Sequence, residues 1–164
     1  MSASELQYKI EQFFYQLSAF CDAQDWDSYL NLFTEDCEFH LPQWDSEHVY
    51  TTDPKKGMSL IYYSNRGGLE DRVFRIRTGK AASTIPMPRT AHMINNVQVI
   101  SEADGVLEVN LNWHTLYHRL GVAESFFGRA TYALVRSGSG WKIRRKHVLL
   151  LNDTINSVLD FYHL

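Results

Sequence analysis

The segment LEVNLNWHTLY, Leu107–Tyr117, keeps a period of two over eleven residues, with Thr115 on its apolar face and Leu116 on the other. Leu107, Val109, Leu111, Trp113, Thr115 and Tyr117 fall on one face, and Glu108, Asn110, Asn112 and His114 on the other. Side chains of a strand point to opposite faces in turn, so this pattern predicts a long strand with one face in a core and one in water. Asp104-Gly105, just upstream, is a strong hairpin signal. Downstream, Ser137–Gly140 predicts a turn between strands at Phe126–Arg136 and Trp141–Leu151. From Arg89 to Lys146 strand patterns dominate, giving a meander of three or four long antiparallel strands.

The first third reads differently. Leu6, Ile10, Phe13, Phe14, Leu17, Phe20 and Cys21 recur at steps of three and four, the apolar stripe of a helix. Ser4 with Gln7 fits a capping box at its start. A short second helix follows, with Trp26, Tyr29, Leu30 and Phe33 facing inward, and then a strand at Cys37–Leu41 closed by Pro42. Trp44–Lys56 is a polar loop. From Gly57 to Gly79 the helical period returns: Leu60 and Tyr63 mark one turn, and Leu69, Val73 and Ile76 another. Asp153 or Thr154 would cap a last helix, Ile155–Phe161. Helices first and a strand meander after make a segregated α+β fold, with a curved sheet wrapped around the N-terminal helix.

The bulk numbers exclude several classes. One domain spanning residues 1–164 is expected, with 45% hydrophobic and 21% charged residues, enough for a core without staples. A net charge of -3 and a pI near 6.1 argue against nucleic acid, which needs a clustered positive field. Val148–Leu151 is the longest aliphatic run, far below the roughly 20 residues of a membrane span. The opening MSASELQYKIEQ lacks the basic-then-apolar pattern of a secretory signal, and the expectation is a cytoplasmic chain. The two cysteines, Cys21 and Cys37, could form at most one disulfide.

Seven histidines, His40, His48, His92, His114, His118, His147 and His163, raise the question of metal. His114 and His118 are a strand pair roughly 13 Å apart at about 3.3 Å per residue, too far to share one ion with bonds of about 2 Å. His92, His114 and His147 lie on three predicted strands and could converge, either as ligands or as hydrogen-bonded core residues. Neither Cys21-Asp22-Ala23-Gln24 nor Cys37-Glu38-Phe39-His40 has the C-x-H or C-x-x-H spacing of a Rieske centre, whose iron takes two Cys and two His. A nucleophile elbow, a P-loop and a dinucleotide fingerprint are absent. His92 or His114 beside Asp22 or Asp25 would make a dyad for proton abstraction, or equally a structural hydrogen bond. Arg66, Glu70, Asp71, Arg72, Arg75 and Arg77 mix signs, as a solvated face or an interface ion network does. Lys142, Arg144, Arg145 and Lys146 form a second basic group. Trp44, Tyr50, Tyr62 and Tyr63 fall outside the periodic core, and Tyr and Trp beside Arg are the composition of interface centres.

Three stretches carry a more specific signal: QWDSEHVYTTDPKKGMSLIYYSNRGGLEDRVFRIRTGKAASTIPMPRTAH (Gln43–His92), ADGVLEVNLNWHTLYHR (Ala103–Arg119) and NDTINSVLDFYHL (Asn152–Leu164). With DAQDWDSYLNLFTED near the start, they resemble the small (β) subunits of aromatic-ring-hydroxylating Rieske dioxygenases, in the benzoate/anthranilate group. The resemblance implies a nuclear-transport-factor-2-like (NTF2-like) cone. It implies partnership with a large (α) subunit in an α3β3 hexamer built on a β3 trimer. That large subunit would carry a [2Fe–2S] Rieske cluster and mononuclear Fe(II), with NADH acting through a separate reductase. No cofactor, metal ligand or catalytic residue is carried over to this chain, whose role would be to organise the oxygenase. The reaction implied is conversion of anthranilate to catechol, or a related benzoate dihydroxylation. Trp44, Tyr62, Tyr63, Arg72 and Arg75 are the candidate interface residues. The rival readings are a stand-alone NTF2-like dehydratase or isomerase with a His–Asp pocket, and an NTF2-like ligand-binding module.

Overall fold

A computed structural model describes residues 1–164. Its elements are α1 (Ala3–Asp22), α2 (Trp26–Asn31), β1 (Phe33–Pro42), β2 (Ser59–Tyr63), α3 (Gly67–Thr78), β3 (Arg89–Ala103), β4 (Val106–Arg119), β5 (Val122–Ser137) and β6 (Gly140–Leu150). The six strands form one sheet in the order β2-β1-β6-β5-β4-β3. Pairing is antiparallel except between β1 and β6, which run parallel. The meander is therefore larger than expected: β1 joins it from across the chain, and β2 extends it.

The predicted alternation of β4 is realised. Leu107, Val109, Leu111, Trp113, Thr115 and Tyr117 are all buried. Asp104 and Gly105 turn the β3–β4 hairpin with φ of 53° and 75°, the left-handed pair that matches strand twist. Register shifts in β3 between Asn95 and Gln98 and between Val99 and Ser101 bend the sheet toward α1, as bulges do. Helix α1 lies against the concave face: Phe14 meets Tyr132 of β5 at 4.7 Å between ring centroids, and Gln7 donates to the Val97 carbonyl at 2.8 Å. Ile10, Phe13, Phe14, Leu17 and Cys21 of the predicted stripe join a core of 30 buried residues. Both cysteines are buried and free.

Four local expectations are corrected. The capping box sits two residues earlier, with Ser2 Oγ accepting from Glu5 N at 3.2 Å and Glu5 accepting from Ser2 N at 2.7 Å. Phe33 is buried as expected but opens β1 rather than continuing α2. The turn of helix expected at Leu60 and Tyr63 is strand β2, with Ile61 buried and Leu60 and Tyr62 outward. In so short an apolar run both periods fit, and pairing with β1 decides it. The last helix, Ile155–Phe161, does not form. The chain there is irregular up to a short 3-10 turn, Phe161–His163, capped by Asp160. Tertiary contacts win over local spacing: Phe161 packs on Trp26 at 5.3 Å and on Tyr29 at 5.5 Å, and His163 stacks on Tyr117 at 4.9 Å.

Candidate functional site

Two places in this cone gather side chains with chemistry. The first is the outer face of β6, β1 and β2. Parallel pairing sets His40 opposite His147, and their rings are 5.2 Å apart. From there an aromatic row extends both ways. Tyr62 meets His40 at 5.4 Å. On the other side Tyr50 lies 6.1 Å from His147, and Trp44 5.3 Å from Tyr50. The row is anchored at its ends: Trp44 Nε1 donates to the Leu150 carbonyl at 2.8 Å, and Tyr62 Oη donates to Glu38 at 3.2 Å. Burial pushes His40 below the usual histidine range, and burial together with His40 and Arg145 pushes His147 down too. Both imidazoles are therefore neutral at pH 7; His40 is buried, so the surface the row presents is that of Trp44, Tyr50, Tyr62 and His147, none of them charged.

Of the five candidate interface residues, Trp44 and Tyr62 belong to this row. Tyr63 turns the other way and packs on Phe39 at 5.9 Å. On α3, Arg75 is exposed. Arg72 is half-buried and engages Asp160 through Nε, at 3.1 Å to Oδ2, and through its terminal nitrogen. It ties the C-terminal segment to α3.

The second place is the interior of the cone. The expected His–Asp dyad exists there as His92 with Asp22. Asp25 instead caps α2, accepting from Ser28 N at 3.3 Å. The three strand histidines do not converge. His92 faces the interior, His114 faces outward and bonds Ser125 Oγ at 2.7 Å, and His147 belongs to the aromatic row. No group of three or more His, Cys, Asp or Glu side chains is arranged to hold a metal ion. Burial works against the His92 imidazolium, but Cys21 and Asp22 beside it outweigh burial and lift it to about 9. Burial likewise raises Asp22, and the hydrogen bonds from His92 and Thr90 overcome it and hold the carboxyl low. The adjoining cavity, lined by Cys21, Tyr29, His92, Trp113, Tyr132 and Lys146 among others, is only about 20 Å³. About 10–15 Å³ admits one water molecule, so this interior takes a water-sized guest and no aromatic ring. Lys146 is 3% exposed, and burial brings it down to about 8.

A six-stranded curved sheet closed over a long helix, with a filled interior, is an NTF2-like cone. A scytalone-dehydratase-type protein of Novosphingobium aromaticivorans DSM 12444 shares this fold, with a TM-score of 0.68 over 93% of this chain and 90% of that one at 14% identity. Residues 18–157 match the family described as ring hydroxylating beta subunit, and the chain belongs to that family. It is 54% identical to the anthranilate 1,2-dioxygenase small subunit of Acinetobacter baylyi (strain ATCC 33305 / BD413 / ADP1), over 98% of each chain. Among solved structures, the beta subunit of the benzoate 1,2-dioxygenase from Burkholderia mallei ATCC 23344 superimposes with a TM-score of 0.79 at 41% identity. That match covers 94% of this chain and 95% of the other. The cone is thus the small subunit of an aromatic-ring-hydroxylating dioxygenase.

The outer row was half legible in the sequence. Trp44, Tyr50 and Tyr62 stood out as aromatics without a core period, whereas His40 and His147 join them only through the parallel β1–β6 pairing, which no local pattern announces.

Proposed function

We propose that this subunit organises an α3β3 oxygenase in the cytoplasm, acting on anthranilate or a related benzoate, and takes no part in bond making itself. The large subunit would carry the [2Fe–2S] Rieske cluster and the mononuclear Fe(II), and a separate reductase would deliver electrons from NADH. The observation that carries the reading is the 54% identity, end to end, with an anthranilate 1,2-dioxygenase small subunit. The chain's own cysteines, Cys21 and Cys37, do not fit a Rieske centre, since neither lies within C-x-H or C-x-x-H spacing. Electron transfer between iron centres on neighbouring large subunits needs a fixed distance, and a stiff trimer of cones would supply it. Trp44, Tyr62 and the exposed Arg75 are proposed to contact other subunits directly. Tyr63 and Arg72 would act by holding β2, α3 and the C-terminal segment in place.

The stand-alone dehydratase or isomerase reading has one observation in its favour, the His92–Asp22 pair. Against it stands an interior of about 20 Å³, too small for a ring substrate.

The test is co-expression with the cognate large subunit, followed by a rate comparison on anthranilate, benzoate and 2-halobenzoate. The reading expects ring dihydroxylation only when both subunits are present, with anthranilate turned over fastest. Dehydration or isomerisation by the small subunit alone would replace it.

A further inference from the structure

The interior cluster has a use that organising an oxygenase does not require. Cys21 lies near the C-terminal end of α1, 3% exposed, with Sγ 4.0 Å from His92 Nε2. The imidazole is clamped from its other side. Its Nδ1 meets Asp22 Oδ1, while the His92 backbone N–H donates to Asp22 Oδ2 at 2.9 Å and Thr90 Oγ1 donates to Asp22 Oδ1 at 2.9 Å. A carboxylate only accepts, so Nδ1 carries a proton and Nε2 is the nitrogen turned to the sulfur. Thiol, base and orienting carboxylate in that order are the components of an activated nucleophile.

A ligand is indicated independently. Cys21 and His92 line the void of about 20 Å³ together with Tyr29 and Lys146. Tyr29 is 2% exposed, yet its Oη has no hydrogen-bond partner. The Lys146 ammonium has one bond, to the main-chain oxygen of Leu164 at 3.3 Å. Buried polar groups left short of partners around a small void mark a place for a small polar guest. Ser18 of α1 and Ile94 of β3 also line it, and at that seam the Asp22 side chain keeps 27% of its surface.

We propose that Cys21 is a peroxide-reactive thiol, oxidised by hydrogen peroxide admitted to this void, with His92 moving the proton. With the thiol proton held on His92 Nε2 as the imidazolium, the sulfur attacks one peroxide oxygen. An S–O bond forms as the O–O bond breaks. The departing hydroxide takes the proton back from Nε2 and leaves as water. Sulfur loses two electrons and peroxide gains them: Cys–SH plus H2O2 gives Cys–SOH plus H2O. Cys37 is the built-in control. It is 0% exposed, has no histidine beside it, and burial raises its thiol to about 11.

The assembled protein is exposed to hydrogen peroxide, natively or in urea; catalase then ends the exposure, and dimedone added in urea traps the sulfenates formed on Cys21 and Cys37, which are counted by peptide mass spectrometry. Native Cys21 is expected to react about tenfold faster than Cys37 or more, with the two equal in urea. His92→Asn should slow Cys21 by about tenfold or more, the scale of a lost acid–base group, and leave Cys37 unchanged. Asp22→Asn serves as the second variant, and circular dichroism checks both. Native Cys21 that is unlabelled or no faster than Cys37, or a folded His92→Asn protein reacting at the wild-type rate, would overturn the proposal. Should neither variant fold, the native Cys21 to Cys37 ratio decides alone.

Discussion

Replacing Arg72 by Met should loosen the C-terminal segment and lower stability by about 2–3 kcal/mol. The Asp160 side chain is 5% exposed and paired with an Arg72 side chain that is 25% exposed. Arg72 reaches it through Nε and a terminal nitrogen, and the same carboxylate accepts from Phe161 N at 2.8 Å. Breaking a fully buried pair from one side costs about 3–5 kcal/mol. The partial exposure of Arg72 lets water reach the site, so the lower part of that range and somewhat less is expected. What depends on the tie is the turn that follows: Phe161, Tyr162, His163 and Leu164 are all buried. For a domain of this size each kcal/mol shifts Tm by about 2–4 °C, so the variant should melt roughly 5–10 °C lower at matched protein concentration. Limited proteolysis should also cut first between residues 153 and 159. Adding Asp160→Asn to Arg72→Met removes the stranded charge while keeping an acceptor for Phe161 N, and should recover about half the loss. A Tm change below about 1 °C, or strictly additive effects in the double variant, would refute the reasoning.

Gly128→Ala should unfold or severely destabilise the sheet, by at least about 3 kcal/mol, because the added Cβ would sit 1.8 Å from the Leu149 carbonyl oxygen of β6; urea denaturation reads this. Lys146→Met should stabilise the protein near pH 7. The folded pKa of about 8, against 10.5 unfolded, means that burial of the charge costs about 3 kcal/mol below pH 8. That cost fades as pH rises through 8 to 10.5, so the variant's advantage in Tm should vanish by the upper end. For His92 the sign is opposite. Its pKa is raised from 6.5 to about 9, so its contribution is full below about pH 6.5 and lost as pH rises through about 9, and the stability gap between wild type and His92→Asn should narrow over that window. In the aromatic row, Tyr62→Ala should reduce the yield of assembled oxygenase on sizing columns while the small subunit keeps its circular dichroism spectrum. Loss of fold together with loss of assembly would assign Tyr62 to the core instead.

The parts of this fold that could be read from sequence are those where each residue meets the core directly. In β4 and α1 the period of the apolar residues is the geometry of the burial itself, so Leu107–Tyr117 and Leu6–Cys21 came out as they stand. Where a segment is held by partners far away in the chain, local spacing misled. Ile155, Leu159 and Phe161 fit a helix, yet Arg72, Trp26 and Tyr29 fix that end as an irregular strap. Leu120 carries a φ of 51° in the β4–β5 turn, a conformation no leucine advertises. The His92–Asp22 pair was among the combinations read from strand and helix positions. Its sulfur neighbour and the narrow void became visible only once α1 was laid against β3.

The measurement closest to the central claim is sedimentation equilibrium of the co-expressed large and small subunits, followed by separation of the chains and iron analysis of each. One species of the mass of three large and three small chains is expected, with all iron on the large chain and none on the small. Stoichiometric iron on the small chain, or NADH-dependent oxygen uptake by the small chain on its own, would contradict it.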